Sequence, residues 1–163
     1  MLWRKFINAA GFYGVEVLIM GGDVAGKAVV PIVDRNASFY APAVAGEQAY
    51  TEDQLPDLER RIRDLGLYPH RMTEDELTTI GNDQLALDAL FLQIMRETLE
   101  RWLALAEERL RGKRVRLYVM LGNDDEPVLR EVIAKSSLAV DPEDQVVEPV
   151  SYTHLTLPTI YSV

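Results

Sequence analysis

The chain has 163 residues with 48% hydrophobic content, enough for one ordinary domain or a piece of a larger one. Its 17 Lys and Arg stand against 26 Asp and Glu, a net charge of −9 that argues against a phosphate-binding basic face and hence against a nucleic-acid partner. Cysteine is absent and histidine occurs twice, which excludes a disulfide framework, a thiolate zinc site and a cysteine nucleophile and fits a reducing compartment.

Leu2 to Phe12 places apolar residues at Leu2, Trp3, Phe6, Ala9 and Ala10, a helical recurrence that Gly11 and Gly14 bracket at its end. The same N-terminal stretch lacks an apolar core of about seven residues followed by a small-residue cleavage site, so it does not read as a secretory signal. Val15 to Met20 (VEVLIM) predicts a buried strand closing on Gly21-Gly22-Asp23. Ala28 to Val33 is β-branched and contains Pro31, which predicts a second strand at a sheet edge. Ser38 to Tyr50 reads as a hairpin or an irregular insert.

Glu52 to Leu65 predicts an amphipathic helix, with Leu55, Leu58, Ile62 and Leu65 at helical spacing and Gly66 as its stop. Thr73 with Glu76 three residues on is a capping pattern that predicts a short helix. Asn82 to Arg111 is the longest expected helix, with an apolar stripe of Leu85, Ala89, Leu92, Leu99, Leu103, Ala106 and Leu110, widened by Phe91, Met95 and Trp102. Arg114 to Leu121 predicts a strand closing on Gly122-Asn123-Asp124-Asp125, Pro127 to Ala134 one or two helical turns, and Gln145 to Val147 a last short strand. No apolar window reaches the roughly 20 residues of a membrane span, and the chain is expected in the cytoplasm. There is no internal repeat.

Composition breaks at Pro149. Val150 to Val163 carries no Lys, Arg, Asp or Glu, and its VSYTHLTLPT resembles the conceptual translation of sequencing-adapter read-through. On that resemblance residues 150–163 are a non-native tail, His154 is no ligand, and the net charge belongs to residues 1–149. A terminal strand is the competing expectation, since Tyr, Thr, Leu and Ile are good strand formers.

The chemistry is concentrated in two loops. Two strands each deliver a Gly followed by an acidic or amide side chain at the C-terminal end, the edge of an α/β sheet where ligands bind. Asp23 and Asn123-Asp124-Asp125 supply hard oxygen donors suited to Mg²⁺ or Mn²⁺. Either loop alone is more often a plain turn. Gly21 to Lys27 (GGDVAGK) also matches the spacing of a phosphate loop. That motif needs a hydroxyl after the Lys and a helix behind it, whereas here Ala28 and a strand-like run follow.

The order GGD then GND resembles the calcineurin-like metallophosphoesterases, whose linear signature is Asp-x-His, Gly-Asp, Gly-Asn-His-Asp or Glu, and later histidines. The wording FINAAGFYGVEVLIMGGDVAGKAVVPIV followed by LYVMLGNDDEPV is similar to a prokaryotic branch in which the third motif reads Gly-Asn-Asp-Asp, and the resemblance covers most of residues 3 to 149. It implies a partial metallophosphoesterase domain over 1–149, a mixed α/β sheet with flanking helices forming part of a sandwich, and a helical insert at about 51–112. It implies hydrolysis of a small phosphate ester by a water activated between two divalent ions (Mn, Fe, Zn or Mg) about 3.5–4 Å apart. Asp23 would bridge the two metals and Asn123 would bind the second through its amide oxygen. Asp124 stands where the wider family has a His. It would be the general acid if burial or the neighbouring Asp125 raised its pKa, or else an outer orienter of the ligands. Lys27 would meet phosphate charge or simply sit in solvent.

The departures from the family pattern are specific. No Asp-x-His precedes Asp23, no Gly-His-x-His follows Asn123, and His70 in LGLYPHRM reads as a surface or packing residue. The expectation is therefore an internal fragment of a phosphoesterase, inactive by itself. From another class comes a non-catalytic α/β module that associates through the long helix over 82–111, with Trp102 and Phe91 as its partner face.

Overall fold

The computed structural model describes residues 2–150 and 153–156. In chain order its elements are α1 (Leu2–Tyr13), β1 (Val17–Gly21), β2 (Val29–Arg35), β3 (Ser38–Tyr40), α2 (Pro42–Ala45), β4 (Ala49–Tyr50) and, after a 3-10 turn at Glu52–Gln54, α3 (Leu55–Asp64). They continue with β5 (Tyr68–Thr73), α4 (Glu74–Gly81), α5 (Gln84–Leu110), β6 (Arg116–Met120), a 3-10 turn at Pro127–Leu129, α6 (Arg130–Ala134), β7 (Ala139–Val140), β8 (Val146–Val150) and β9 (Thr153–Thr156). The class is mixed α/β, as expected. The strands do not share one sheet, however. They form a parallel sheet β1-β6-β7, a mixed sheet β4-β3-β2-β5 and the antiparallel pair β8-β9.

The chain divides into two units, one of residues 1–25 with 95–163 and the other of residues 26–94. In the first, β6 is the central strand, and Leu117, Tyr118 and Val119 are all buried. That continuous burial is what a parallel strand with neighbours on both sides requires. β1 is an edge strand rather than the fully buried one expected: only Leu18 is buried, and Ile19 is 36% exposed. Trp3, Ile7 and Ala10 mark the buried stripe of α1, and Leu99, Leu103, Ala106 and Leu110 that of the second half of α5. The expected stripe fails in the first half of α5, where Leu85 is 80% exposed.

In the second unit, Val30, Ile32, Phe39, Ala41, Tyr50, Leu55, Leu58 and Ile62 form the core. Burying each of the large aliphatic side chains among them contributes about 1.5–3 kcal/mol. Leu65 leaves the stripe of α3 and is 65% exposed. β2 is an interior strand, not an edge, because β3 pairs with one side and β5 with the other. Pro31 is tolerated because β3 pairs only with Val33 to Arg35, so β2 has a single neighbour at the Pro31 position, where a missing N–H is acceptable. Asn36 and Ala37, both at positive φ, form the two-residue turn from β2 to β3, and the Ala37 N–H donates to Asp34 Oδ1 at 3.0 Å.

The insert over about 51–112 is helical except for β5, which pairs in parallel with β2 and carries His70 opposite Pro31. Thr153–Thr156, within the tail from Val150, pairs with β8. The remaining residues of that tail beyond Val150 lie outside the described ones. No helix among the described residues is long and apolar enough to cross a membrane.

Candidate functional site

β1 and β6 are directly hydrogen-bonded neighbours in parallel register, with Met20 opposite Val119 and Gly21 opposite Met120. Parallel register delivers both following loops to the same C-terminal edge of the sheet. The loops then come close enough to dictate their glycines. A Cβ at Gly22 would stand 3.1 Å from the Gly122 Cα, and Gly22 has φ +107°, a region that L side chains rarely adopt. A Cβ at Gly122 would meet the Asp23 amide nitrogen at 2.5 Å and its carboxylate Oδ1 still closer. Asp23 follows at φ +51°, left-handed backbone that a non-glycine residue adopts only where its surroundings hold it there.

What holds it is Asp125, 8% exposed, whose carboxylate takes three backbone N–H groups. Oδ2 accepts from Val24 N at 2.9 Å and from Gly122 N at 2.7 Å, and Oδ1 accepts from Ala25 N at 2.6 Å. Each such bond to a charged acceptor contributes about 1.5–3 kcal/mol, which offsets the desolvation of the buried carboxylate. The Asp125 N–H closes a tight turn onto Gly122 O at 3.3 Å. Residues 122–125 thus form a turn whose last side chain folds back onto both loops.

These contacts also dispose of the phosphate-loop alternative. The segment Gly21 to Lys27 runs into β2 rather than into a helix, and the Val24 and Ala25 amides that would face a phosphate already bind a carboxylate. Asp23, Asn123 and Asp124 are all exposed, and the Asn123 side-chain nitrogen donates to Asp124 Oδ1 at 3.2 Å.

Comparison with family models, with curated proteins and with solved structures found no match.

Exposed carboxylates and an amide oxygen are the donor types that hard divalent cations take. They fall short of the ligands for a pair. Among the described residues no group of three or more His, Cys, Asp and Glu side chains is placed to hold a metal ion. His70 lies on β5 and Lys27 just before β2, both in the other unit, and Lys27 is exposed. Asp124, the expected general acid, is exposed. The buried carboxylate of the pair is Asp125, and its oxygens are occupied.

Asp125 is the residue that sequence reasoning missed, having entered only as a neighbour of Asp124. Composition does not distinguish two adjacent aspartates. Their roles separate only when the turn aims one inward and the other outward. A shallow depression lined by Glu16, Lys113, Arg114, Val115 and Arg116 opens at the opposite ends of β1 and β6. Ligands of parallel sheets bind at the carboxyl ends of the strands, so we assign it no role.

Proposed function

We propose that this chain carries part of a metal-dependent phosphoesterase site, with Asp23 and Asn123 as its metal ligands. The observation that carries the reading is the delivery of Asp23 and Asn123 from adjacent parallel strands to one sheet edge. The resemblance of the GGD and GNDD wording to calcineurin-like phosphoesterases supports it, as do the oxygen donors exposed on both loops. On this reading the fold is part of a metallophosphoesterase sandwich and the substrate is a small phosphate ester. A bound divalent cation would polarise the phosphoryl oxygens and lower the pKa of a water near them. Asp23 would hold it through a carboxylate, Asn123 through an amide oxygen, and Asp124 would orient Asn123 through the contact between their side chains. Two cations need more ligands than these loops supply, so the chain by itself is expected to bind metal without sustaining turnover.

Calorimetric titration of the chain with Mn²⁺ tests this. Binding that Asp23→Asn abolishes and Asn123→Ala weakens about 10-fold or more supports it. Absence of Mn²⁺ binding, or binding indifferent to both substitutions, overturns it. Turnover of an aryl phosphate by the chain with Mn²⁺, abolished by Asp23→Ala, would overturn the expectation of inactivity alone.

A second reading, association through the long helix, is favoured by one observation. Leu85 and Leu87 are exposed near the start of α5. Its expected partner face is another matter: Trp102 stacks on Trp3 and Phe91 lies edge-on to Tyr68 at 6.0 Å, so both rings already have partners inside the fold. Sedimentation of the chain beside a Leu85→Ser, Leu87→Ser double variant discriminates. A self-associating parent and a monomeric variant would support this reading, and a monomeric parent would remove self-association from it.

A further inference from the structure

We propose that Asp125 is the positioning residue of the candidate site: its single carboxylate fixes the conformation of both loops and thereby sets where Asp23 and Asn123 present their oxygens. The inference rests on the metal-binding reading above and deepens it.

An aspartate that merely formed the Gly122 to Asp125 turn would need only the bond from Gly122 N. Two of its three bonds, to Val24 N and Ala25 N, reach across about a hundred residues of sequence to the other loop. The geometry divides the work. Oδ2 bridges the loops by accepting from Val24 and Gly122, and Oδ1 secures the next residue, Ala25.

Each candidate ligand lies next to a residue held in this way. Asp23 sits between Gly22, with its positive φ, and Val24, whose amide is bound. It is kept in the left-handed region from both sides. Asn123 directly follows Gly122, whose amide is bound by the same oxygen. Asp125 therefore acts on two ligands through their backbones, with no contact to a cation required of it. Outer partners of this kind typically change metal affinity 10–100-fold when removed.

The substitution Asp125→Asn makes the proposal sharp. An asparagine retaining its oxygen at the Oδ2 position still accepts from Val24 and Gly122, but its NH₂ group then faces the Ala25 N–H and that bond is lost. Asp125→Ala loses all three.

Amide hydrogen exchange followed by NMR on the full chain, with Mn²⁺ titration of the same samples, tests this. The expected result in Asp125→Asn is exchange at least 10-fold faster at Ala25, with Val24 and Gly122 close to the parent, and a small loss of Mn²⁺ affinity. In Asp125→Ala all three amides exchange faster and Mn²⁺ affinity falls 10–100-fold. Ile133→Val, a core change in the same unit, lowers stability and leaves Mn²⁺ affinity unchanged, which separates positioning from general weakening. If Asp125→Ala does not fold, the pattern of the three amides in Asp125→Asn decides alone. Unchanged exchange at Ala25 in that variant, or a folded Asp125→Ala that binds Mn²⁺ as the parent does, overturns the proposal. A parent chain that binds no Mn²⁺ overturns the metal reading. The exchange pattern, with the chemical shifts of Asp23 and Asn123, then reports separately whether Asp125 sets the two loops.

Discussion

Trp3 stacks on Trp102, with ring centroids 5.6 Å apart and planes 14° from parallel, while its indole N–H donates to the Trp102 carbonyl at 2.8 Å. One residue of α1 thus engages α5 through both its apolar face and its polar edge, the combination that makes a buried Trp hard to replace. Trp3→Ala is expected to cost about 3–5 kcal/mol, and Trp3→Phe, which loses the hydrogen bond while keeping a ring, about 1–2 kcal/mol. Urea denaturation measures both. The chain has only these two tryptophans, so fluorescence of the Trp3→Phe variant reports Trp102 alone.

The capping box at Thr73 yields a prediction with a pH signature. Thr73 Oγ1 accepts from Glu76 N at 3.2 Å, and Glu76 Oε2 accepts from Thr73 N at 2.7 Å. Thr73→Ala should cost about 1 kcal/mol. The Thr73 N–H first, and its hydroxyl second, hold the Glu76 carboxyl below the usual carboxylate range. A depressed folded pKa gives stability that is present above the ordinary pKa and fades as pH falls through the folded one. The deficit of Thr73→Ala should therefore shrink as pH falls from neutral through the lowered carboxyl range of Glu76. A deficit independent of pH would refute the coupling.

This box shows what kind of structure was legible in the sequence. Signals confined to a few neighbouring residues survived: the Thr73–Glu76 cap, the Gly66 stop, and the two Gly-containing loops after β1 and β6. What failed depends on partners far along the chain. β5, with Pro69 and His70 inside it, has no alternating or β-branched pattern and is a strand only because β2 lies beside it. β7 is two residues long and is extended for the same reason. Pro31 pointed to an edge, whereas the short reach of β3 lets an interior strand carry it. The candidate site divides in the same way. Asp23 and Asn123 were legible from loop chemistry, while the role of Asp125 depends on bonds to Val24 and Ala25 that no local pattern encodes.

Glu59 on α3 accepts from Arg63 Nη2 at 2.8 Å within the helix and from Arg71 Nε at 2.8 Å on β5, while Arg71 also donates to Glu52 at 2.9 Å. Burial pushes the Glu59 carboxyl up, but the hydrogen bonds and charges of Arg63 and Arg71 together outweigh it and hold the group below its ordinary range. Glu59→Gln keeps the shape and removes the charge, with an expected cost of about 1 kcal/mol at pH 7, given the solvent exposure of both arginines. The contribution of Glu59 exists above its ordinary pKa and is lost as pH falls through the lower folded value. The stability gap between parent and variant should therefore narrow between pH 7 and an acid pH below the ordinary carboxylate range. Denaturant midpoints at the two pH values check this, and a gap that widens in acid would contradict the sign.

Gly21 and Gly122 form a matched pair on the candidate site. A Cβ added at Gly21 meets no atom of the described residues within 4 Å, and this glycine, the last residue of β1, does not have positive φ. Gly21→Ala is expected to leave stability within about 0.5 kcal/mol of the parent. A Cβ at Gly122 runs into Asp23, its backbone nitrogen as well as its carboxylate, so the two loops must separate to admit it. Overpacking against backbone typically costs about 1–3 kcal/mol. The displaced residue is also the proposed ligand, so Gly122→Ala should reduce Mn²⁺ affinity more than its loss of stability accounts for, while Gly21→Ala leaves it intact. Calorimetry on the two variants makes the comparison. Equal Mn²⁺ affinity in both would mean that close approach of the loops is a packing feature and that Asp23 does not depend on Gly122 for its place.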